Sequence, residues 1–351
     1  MTLREVITGV PDVDEEIGAE TRRRLDRLTK PQGSLGRLEE LAVQYCAATG
    51  EPKPSVPKAV VFTFAADHGV VAEGVSAYPK AVTAQMVLNF LRGGAGVNVL
   101  ARHAGAEVRV VDIGVDYEFE PMAGLIDRKL MKGTHNMSRE PAMTAETAER
   151  ALLIGVELAS EAAGEGFGVM GTGEMGIGNT TSSAAITALI TGAAVGEVTG
   201  RGTGIDEAGW RKKVAVIERT LEQHRPNPHD ALDILTKVGG LEIAGMAGLI
   251  LGAAAHRVPV VLDGFIAGAA AVIACRLQPR CLPYLIASHR SVEKGHQVLL
   301  EHLQLRPLFD LDLRLGEGTG ACLGIGLVQA AVRVLTEMAT FGEAGVSERT
   351  T

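Results

Sequence analysis

Five short apolar runs, each ending in small or polar residues and each followed by a helix-like stretch, constrain this chain more than any other feature. They are AVVFTFAADHG, AEVRVVDIG, GFGVMGTGE, VPVVLDG and PYLIASH. Strands that read as continuous apolar runs are buried on both faces, as in a parallel sheet covered by helices. The intervening segments TAQMVLNFLR, TAETAERALLIGVELASEAA, SSAAITALIT and GFIAGAAAVIACRL are rich in alanine and leucine, residues that favour helix. The fold class is therefore α/β: a Rossmann-like open parallel sheet with helices on both faces.

Outside this alternation, residues 12–49 read as two polar-faced helices around the turn LTKPQGSLGRLEELA, with Pro31 and Gly33 stopping one pattern and Ser34 capping the next. The Gly-rich segment LRLGEGTGACLGIGLVQAAVRVLTEMATF returns to helix near the C-terminus. Residues 1–57 and 319–351 are expected to form a small helical domain and residues 58–318 the α/β catalytic domain, with the tail EAGVSERT fraying. GTG recurs at Gly171, Gly202 and Gly318, but the unequal spacing argues against a structural repeat.

A net charge of -8 excludes a general nucleic-acid binder, which needs a basic surface to displace counterions. The most apolar segment, Ile243 to Ala255, is too short for the roughly 20 residues of a spanning helix and reads as a buried helix, so no membrane partner is expected. Cys46, Cys275, Cys281 and Cys322 have no zinc-like or C-x-x-C spacing and read as buried thiols. With no signal-peptide core in MTLREVITGVPDVDEE, the expected location is the cytoplasm.

Ligands of open α/β sheets bind beyond the carboxyl ends of the strands, which points to Asp67 and His68, Glu174 with its glycines, Asp263 with Gly264, and Ser288 to Ser291. In EMGIGNTTSS, glycines followed by a helix start suit an anion, with Asn179, Thr180 and Thr181 as further donors; the bland alternative is a glycine turn with a threonine cap. The stretch lacks the G-K-[ST] of a P-loop and the third glycine of a dinucleotide fingerprint. GRGTGIDEAGWRKK sets Lys212 and Lys213 on a helix starting near Asp206, where a lysine either meets a phosphate or is merely solvated. Glu317, between two glycines in LRLGEGTGA, is either a general base or a helix cap. Asp67 and His68 suit a hydrogen-bonded structural role, and SHRSVEKGH lacks the G-x-S-x-G elbow of a serine hydrolase.

In order along the chain, LTKPQGSLGRLEELA, AADHGVVAEGVSAYPKAVTAQMVLNFLRGGAGVNVLAR, GEMGIGNTTSSAAI, GRGTGID, PVVLDGFIAGAAA, SHRSVEKGH and LRLGEGTGA resemble the nicotinate-nucleotide:dimethylbenzimidazole phosphoribosyltransferase family, from near Leu28 to about Ala331. The resemblance implies transfer of the 5-phosphoribosyl group of nicotinate mononucleotide to 5,6-dimethylbenzimidazole by a homodimer, in assembly of the lower ligand of cobalamin. It implies Glu317 as catalytic base and Glu174 as a second carboxylate. It places the nucleotide and its phosphate at Gly176, Gly178, Asn179, Thr180, Gly202, Lys213 and Ser291, and the aromatic base at Ser76, Tyr78, Gln85, Met86 and Leu315. The implied chemistry uses no cofactor or metal. Two rivals remain at this stage: a Rossmann oxidoreductase, for which AADHGVVAEG supplies no fingerprint, and a non-catalytic nucleotide or benzimidazole binding protein, which would tolerate loss of Glu317.

Overall fold

The computed structural model describes residues 2–347 and centres on an all-parallel six-stranded sheet. Its strands are β1 Lys58–Ala66, β2 Ala106–Gly114, β3 Leu125–Asp127, β4 Phe167–Met175, β5 Val260–Leu262 and β6 Leu285–Ala287, in the order β3-β2-β1-β4-β5-β6. The five apolar runs each contain a strand. The sixth, β3, is a three-residue edge strand, too short to show any periodicity in sequence.

Every residue of β1 after Lys58 is buried, and its side chains divide alternately between two cores. Val60, Phe62 and Phe64 point to one, with helices Ala145–Gly164 and Leu241–Ala255; Ala59, Val61 and Ala65 point to the other, with helices Arg37–Thr49, Gly96–Ala104 and Thr319–Glu337. Strand period and two-sided burial thus produce the layered architecture. The first two of these helices touch backbone to backbone: a Cβ on Gly155 would lie 1.9 Å from the Gly245 carbonyl oxygen. Glycine in a helix interior costs about 1 kcal/mol relative to alanine, a cost offset here by the close approach.

Helix Leu241–Ala255 is buried along nearly all its length, as its composition indicates. Thr319–Glu337 is, among the described residues, the helix long and apolar enough to cross a membrane; in this fold it packs on the sheet and on Arg37–Thr49. The N-terminal segment holds helices Leu3–Gly9, Glu15–Leu25 and Arg37–Thr49. Ser34 does not cap the third: the cap position is Gly36, at φ +51°, a conformation that favours glycine over serine. Cys275 is only partly buried, whereas the other three cysteines are buried free thiols. In the tail, Thr340 and Glu343 form a capping box on the short helix Phe341–Ala344, so the start of EAGVSERT is ordered; residues 348–351 lie outside the described ones.

From β1 the chain moves outward through β2 and β3, then returns to lay β4 on the other side of β1. The carboxyl ends of β1 and β4 therefore flank the point where the strand order reverses, and a crevice opens there.

Candidate active site

Immediately after β4, Gly176, Ile177 and Gly178 turn into helix Asn179–Thr191. Gly178 is at φ +97°, and a Cβ on Gly176 would sit 2.5 Å from the Ala66 carbonyl oxygen, so the turn needs both glycines. No side chain caps this helix, neither Thr180 nor Thr181; the Asn179 and Thr181 amides bond back to the Gly176 and Gly178 carbonyls, which leaves the Thr180 amide and the positive dipole end for a ligand.

Thr180 instead accepts a hydrogen bond from Lys213 Nζ at 2.7 Å. Lys213 comes from helix Glu207–His224, which Asp206 caps, and is fully buried without an ion pair among the described residues. Burial pulls its pKa down to about 8. Gly202, at φ +51°, completes the corner: a Cβ there would lie 2.8 Å from Thr180 Oγ1 and 3.3 Å from Lys213 Nζ. Its amide donates to Glu293 Oε1 at 3.0 Å, and the Glu293 amide donates to Ser291 Oγ at 3.3 Å. The corner gathers a buried ammonium, amides and hydroxyls, the donors an anion requires.

Across the same strand ends runs the turn Gly316–Gly318, three consecutive residues with positive φ, Glu317 at +66° among them. A non-glycine residue held there is strained unless its surroundings fix it, and here they do. The Glu317 amide donates to the Glu174 carbonyl at 3.2 Å, and the Glu317 carbonyl accepts from Thr63 Oγ1 at 2.9 Å. A Cβ on Gly173 would fall 2.2 Å from that carbonyl oxygen, so β4 carries glycine where the turn crosses it. Asp263, at the end of β5, accepts the Gly318 and Gly320 amides at 3.0 and 2.7 Å and so caps the following helix.

The Glu317 carboxylate is itself tethered: Oε2 accepts the Val97 amide at 3.1 Å, at the start of helix Gly96–Ala104. Burial raises its pKa, opposed by the Val97 and Gly96 amides. Glu174 accepts a hydrogen bond from the Asn179 side chain, and burial, with Asp263, Glu242 and Glu317 nearby, pushes its pKa up to about 8. Burial also pushes Asp263 up to about 7, against the amides it accepts. Environment thus separates neighbouring carboxyl groups into different protonation behaviour.

These groups surround one cavity of about 490 Å³. It is lined by Ser76, Tyr78, Met86, Glu174, Gly176, Gly178, Asn179, Thr180, Gly202, Ser291, Leu315 and Glu317 among the sequence candidates. Tyr78 and Leu315 stand at its mouth, 54% and 60% exposed. Gln85 is exposed and does not line the cavity, although Val82 and Met86 of its helix do; Lys213 lies behind Thr180. His68 and Asp67 are likewise outside the lining: His68 pairs with Glu242 at 2.6 Å, and Asp67 accepts the Asp116 amide at 2.8 Å. His289 falls within the strand end Ser288 to Ser291 that the sequence points to; Glu293, Thr203 and Arg314 are wall residues that sequence reasoning missed, the polar character of SHRSVEKGH being the available signal for Glu293.

An open parallel sheet carrying an uncapped glycine turn, a buried lysine and a constrained carboxylate around one cavity defines a binder of a small anionic ligand with a group placed to move a proton. A family model described as phosphoribosyltransferase matches residues 10–346. The nicotinate-nucleotide–dimethylbenzimidazole phosphoribosyltransferase of Geobacter sp. (strain M21) is 59% identical over 345 residues, 98% of this chain and 99% of that protein. The protein of the same name from Chloroflexus aggregans is 57% identical over 99% of this chain and 98% of its own length. The crystal structure of CobT from Thermus thermophilus superimposes with a TM-score of 0.91 at 49% identity, covering 95% of this chain and all of that one. This chain belongs to the nicotinate-nucleotide:dimethylbenzimidazole phosphoribosyltransferase family, and it is an enzyme of the pentosyltransferase class.

Proposed function

We propose that this enzyme moves the 5-phosphoribosyl group of nicotinate mononucleotide to 5,6-dimethylbenzimidazole, releasing nicotinate and forming α-ribazole 5′-phosphate for the cobalamin lower ligand. The observation that carries the catalytic assignment is the Glu317 carboxylate, tethered through one oxygen to the Val97 amide on a backbone turn fixed by Thr63, Glu174 and Asp263.

The phosphate sits on the Gly176–Thr180 helix start and Gly202, with Ser291 beside it and Lys213 supplying charge through the Thr180 corner. Lys213 makes no direct ion pair among the described residues, the Glu293 carboxylate acting on it from a distance, so a bound phosphate gives this buried cation a close counter-charge. Nicotinate leaves C1′ readily because its pyridinium nitrogen is already cationic, and no general acid is needed. The bare nitrogen of dimethylbenzimidazole attacks the opposite face of C1′, inverting the configuration from β to α. Positive charge grows on the attacking ring, its N–H becomes acidic, and Glu317 accepts that proton. Glu174, mostly protonated at neutral pH, spares the site a second adjacent anion while its bond with Asn179 steadies the phosphate turn. Met86 and Leu315, with Ser76 and Tyr78, flank the aromatic base, and Gln85, which faces away from the cavity, takes no part in this arrangement. Holding both rings about C1′ and excluding water supply the rest.

The exposed apolar side chains of Tyr78, Val292 and Leu315 support a homodimer, since clustered apolar surface of this kind marks an interaction face. Packing of Thr319–Glu337 on Arg37–Thr49 supports grouping 1–57 with 319–351 as a helical unit beside the catalytic body 58–318. Free thiols and the charge of -8 support a cytoplasmic enzyme with no nucleic-acid or membrane partner.

The test is chromatography of nicotinate and ribazole phosphate made from the two substrates by the wild type and by Glu317→Gln. Equal release of both products by the wild type, with turnover falling roughly 10²- to 10⁴-fold in the variant and nucleotide affinity retained, is expected. Normal turnover by Glu317→Gln refutes the base.

A further inference from the structure

His289, two residues beyond the end of β6, lines the cavity and has no task in the scheme above. Its ring is 2% exposed, stacked on Phe309 and edge-on to His296, each at 5.9 Å between centroids. Nδ1 lies 3.0 Å from Ser288 Oγ. The same hydroxyl lies 3.3 Å from the Asp263 carbonyl, and with its one proton given there it receives the imidazole bond. In that arrangement Nδ1 carries the ring hydrogen and Nε2 a lone pair, the tautomer on which the assignment below rests.

No protein donor reaches Nε2 among the described residues, and Nε2 is not among the enclosed unpartnered atoms, so it borders open space. Gly264, another wall residue, leaves that nitrogen room: a Cβ there would lie 3.7 Å from it. Burial keeps the imidazole neutral, pulling its pKa down to about 4. A neutral acceptor does not hold a phosphate anion; it takes a hydroxyl or N–H. Among the carboxylate oxygens of the wall, Glu293 Oε1 is taken by Gly202, Glu174 Oε2 by Asn179 and Glu317 Oε2 by Val97, while Glu293 Oε2 is enclosed without a partner.

We propose that His289 Nε2 accepts a hydrogen bond from a ribose hydroxyl of the nucleotide, making His289 the residue that selects a ribo- over a deoxyribonucleotide donor. The assignment rests on the transferase reading, in which the sugar lies between the phosphate corner and Glu317. As C1′ gains cationic character its neighbouring hydroxyls become better donors, so the bond strengthens in the transition state and acts on kcat as well as on binding.

The experiment compares kcat/KM of wild type, His289→Phe and His289→Asn on nicotinate mononucleotide and on its 2′-deoxy and 3′-deoxy analogues, with 5,6-dimethylbenzimidazole saturating. Asn retains a donor for Ser288 but has no atom at the Nε2 position, which keeps the test usable if Phe disturbs folding. The wild type is expected to lose roughly 10- to 100-fold on one deoxy analogue. The variants are expected to lose as much on the ribonucleotide and nothing further on that analogue. Variants that still discriminate against both deoxy analogues as strongly as the wild type overturn the assignment. Absence of nicotinate release by the wild type itself sinks the transferase reading, and this assignment with it.

Discussion

Replacing Glu174 by glutamine tests the electrostatics of the site through stability alone. Glu174 is 6% exposed, and its pKa is raised from an ordinary 4.5 to about 8, first by burial and then by Asp263 and Glu242. Because the folded chain holds this proton more tightly than the unfolded chain, the group's stabilisation is complete below about pH 4.5 and is lost as pH rises through about 8. At about 1.4 kcal/mol per pH unit, the wild type should lose roughly 3 kcal/mol between pH 5.5 and 8 that Glu174→Gln does not lose. Asp263, with its own raised pKa, titrates in both proteins, so the difference between them reads the Glu174 charge together with its coupling to Asp263. Urea unfolding without substrates, at several pH values across that window, reads the effect. The glutamine variant should gain on the wild type steadily toward alkaline pH. Parallel stability profiles would show that Glu174 is ionised in the fold, and would remove the argument that it spares Glu317 a neighbouring anion.

Lys213→Ala should weaken nicotinate mononucleotide binding by roughly 10- to 100-fold in calorimetry while leaving the unphosphorylated riboside unaffected, since the ammonium serves the phosphate. An equal loss for both ligands would assign the lysine to structure. Gly155→Ala, which drives a Cβ to 1.9 Å from the Gly245 carbonyl, should cost about 3 kcal/mol and lower the melting temperature; an unchanged melt would contradict the close helix contact.

The sheet was legible because its strands are buried on both faces and read as apolar runs; the glycine turn after β4 was legible as a turn, while its alternative reading as a threonine-capped helix start is excluded only by the backbone. β3 was illegible: three residues at a sheet edge carry no period. The cap of Arg37–Thr49 was misread because serine propensity says nothing of a backbone that must turn through positive φ at Gly36. Family resemblance singled out Glu317, yet what holds its carboxylate is the Val97 amide, 220 residues away in sequence, a contact that exists only once the sheet is assembled. The residue pattern alone read Lys213 as one of two lysines on a helix; the family resemblance chose it, and packing gives the physical distinction: Lys212 stays exposed while Lys213 is sealed behind Thr180. The position of His289 at a strand end was legible, but the state of its nitrogens was not, since it depends on the one proton of Ser288.

The order in which the chain is synthesised gives the position of Glu317 a further meaning. All six strands are complete by Ala287, and the phosphate turn and Lys213 precede that point, whereas Glu317 emerges afterwards. Domains generally fold as units, although the glycine turn after β4 and the buried Lys213 are synthesised well before the carboxylate that faces them across the cavity. Helix Thr319–Glu337, which fills one side of the sheet's core, also emerges afterwards, so a chain cut short before Gly316 lacks the carboxylate and that core together, and loses the fold along with the transfer chemistry.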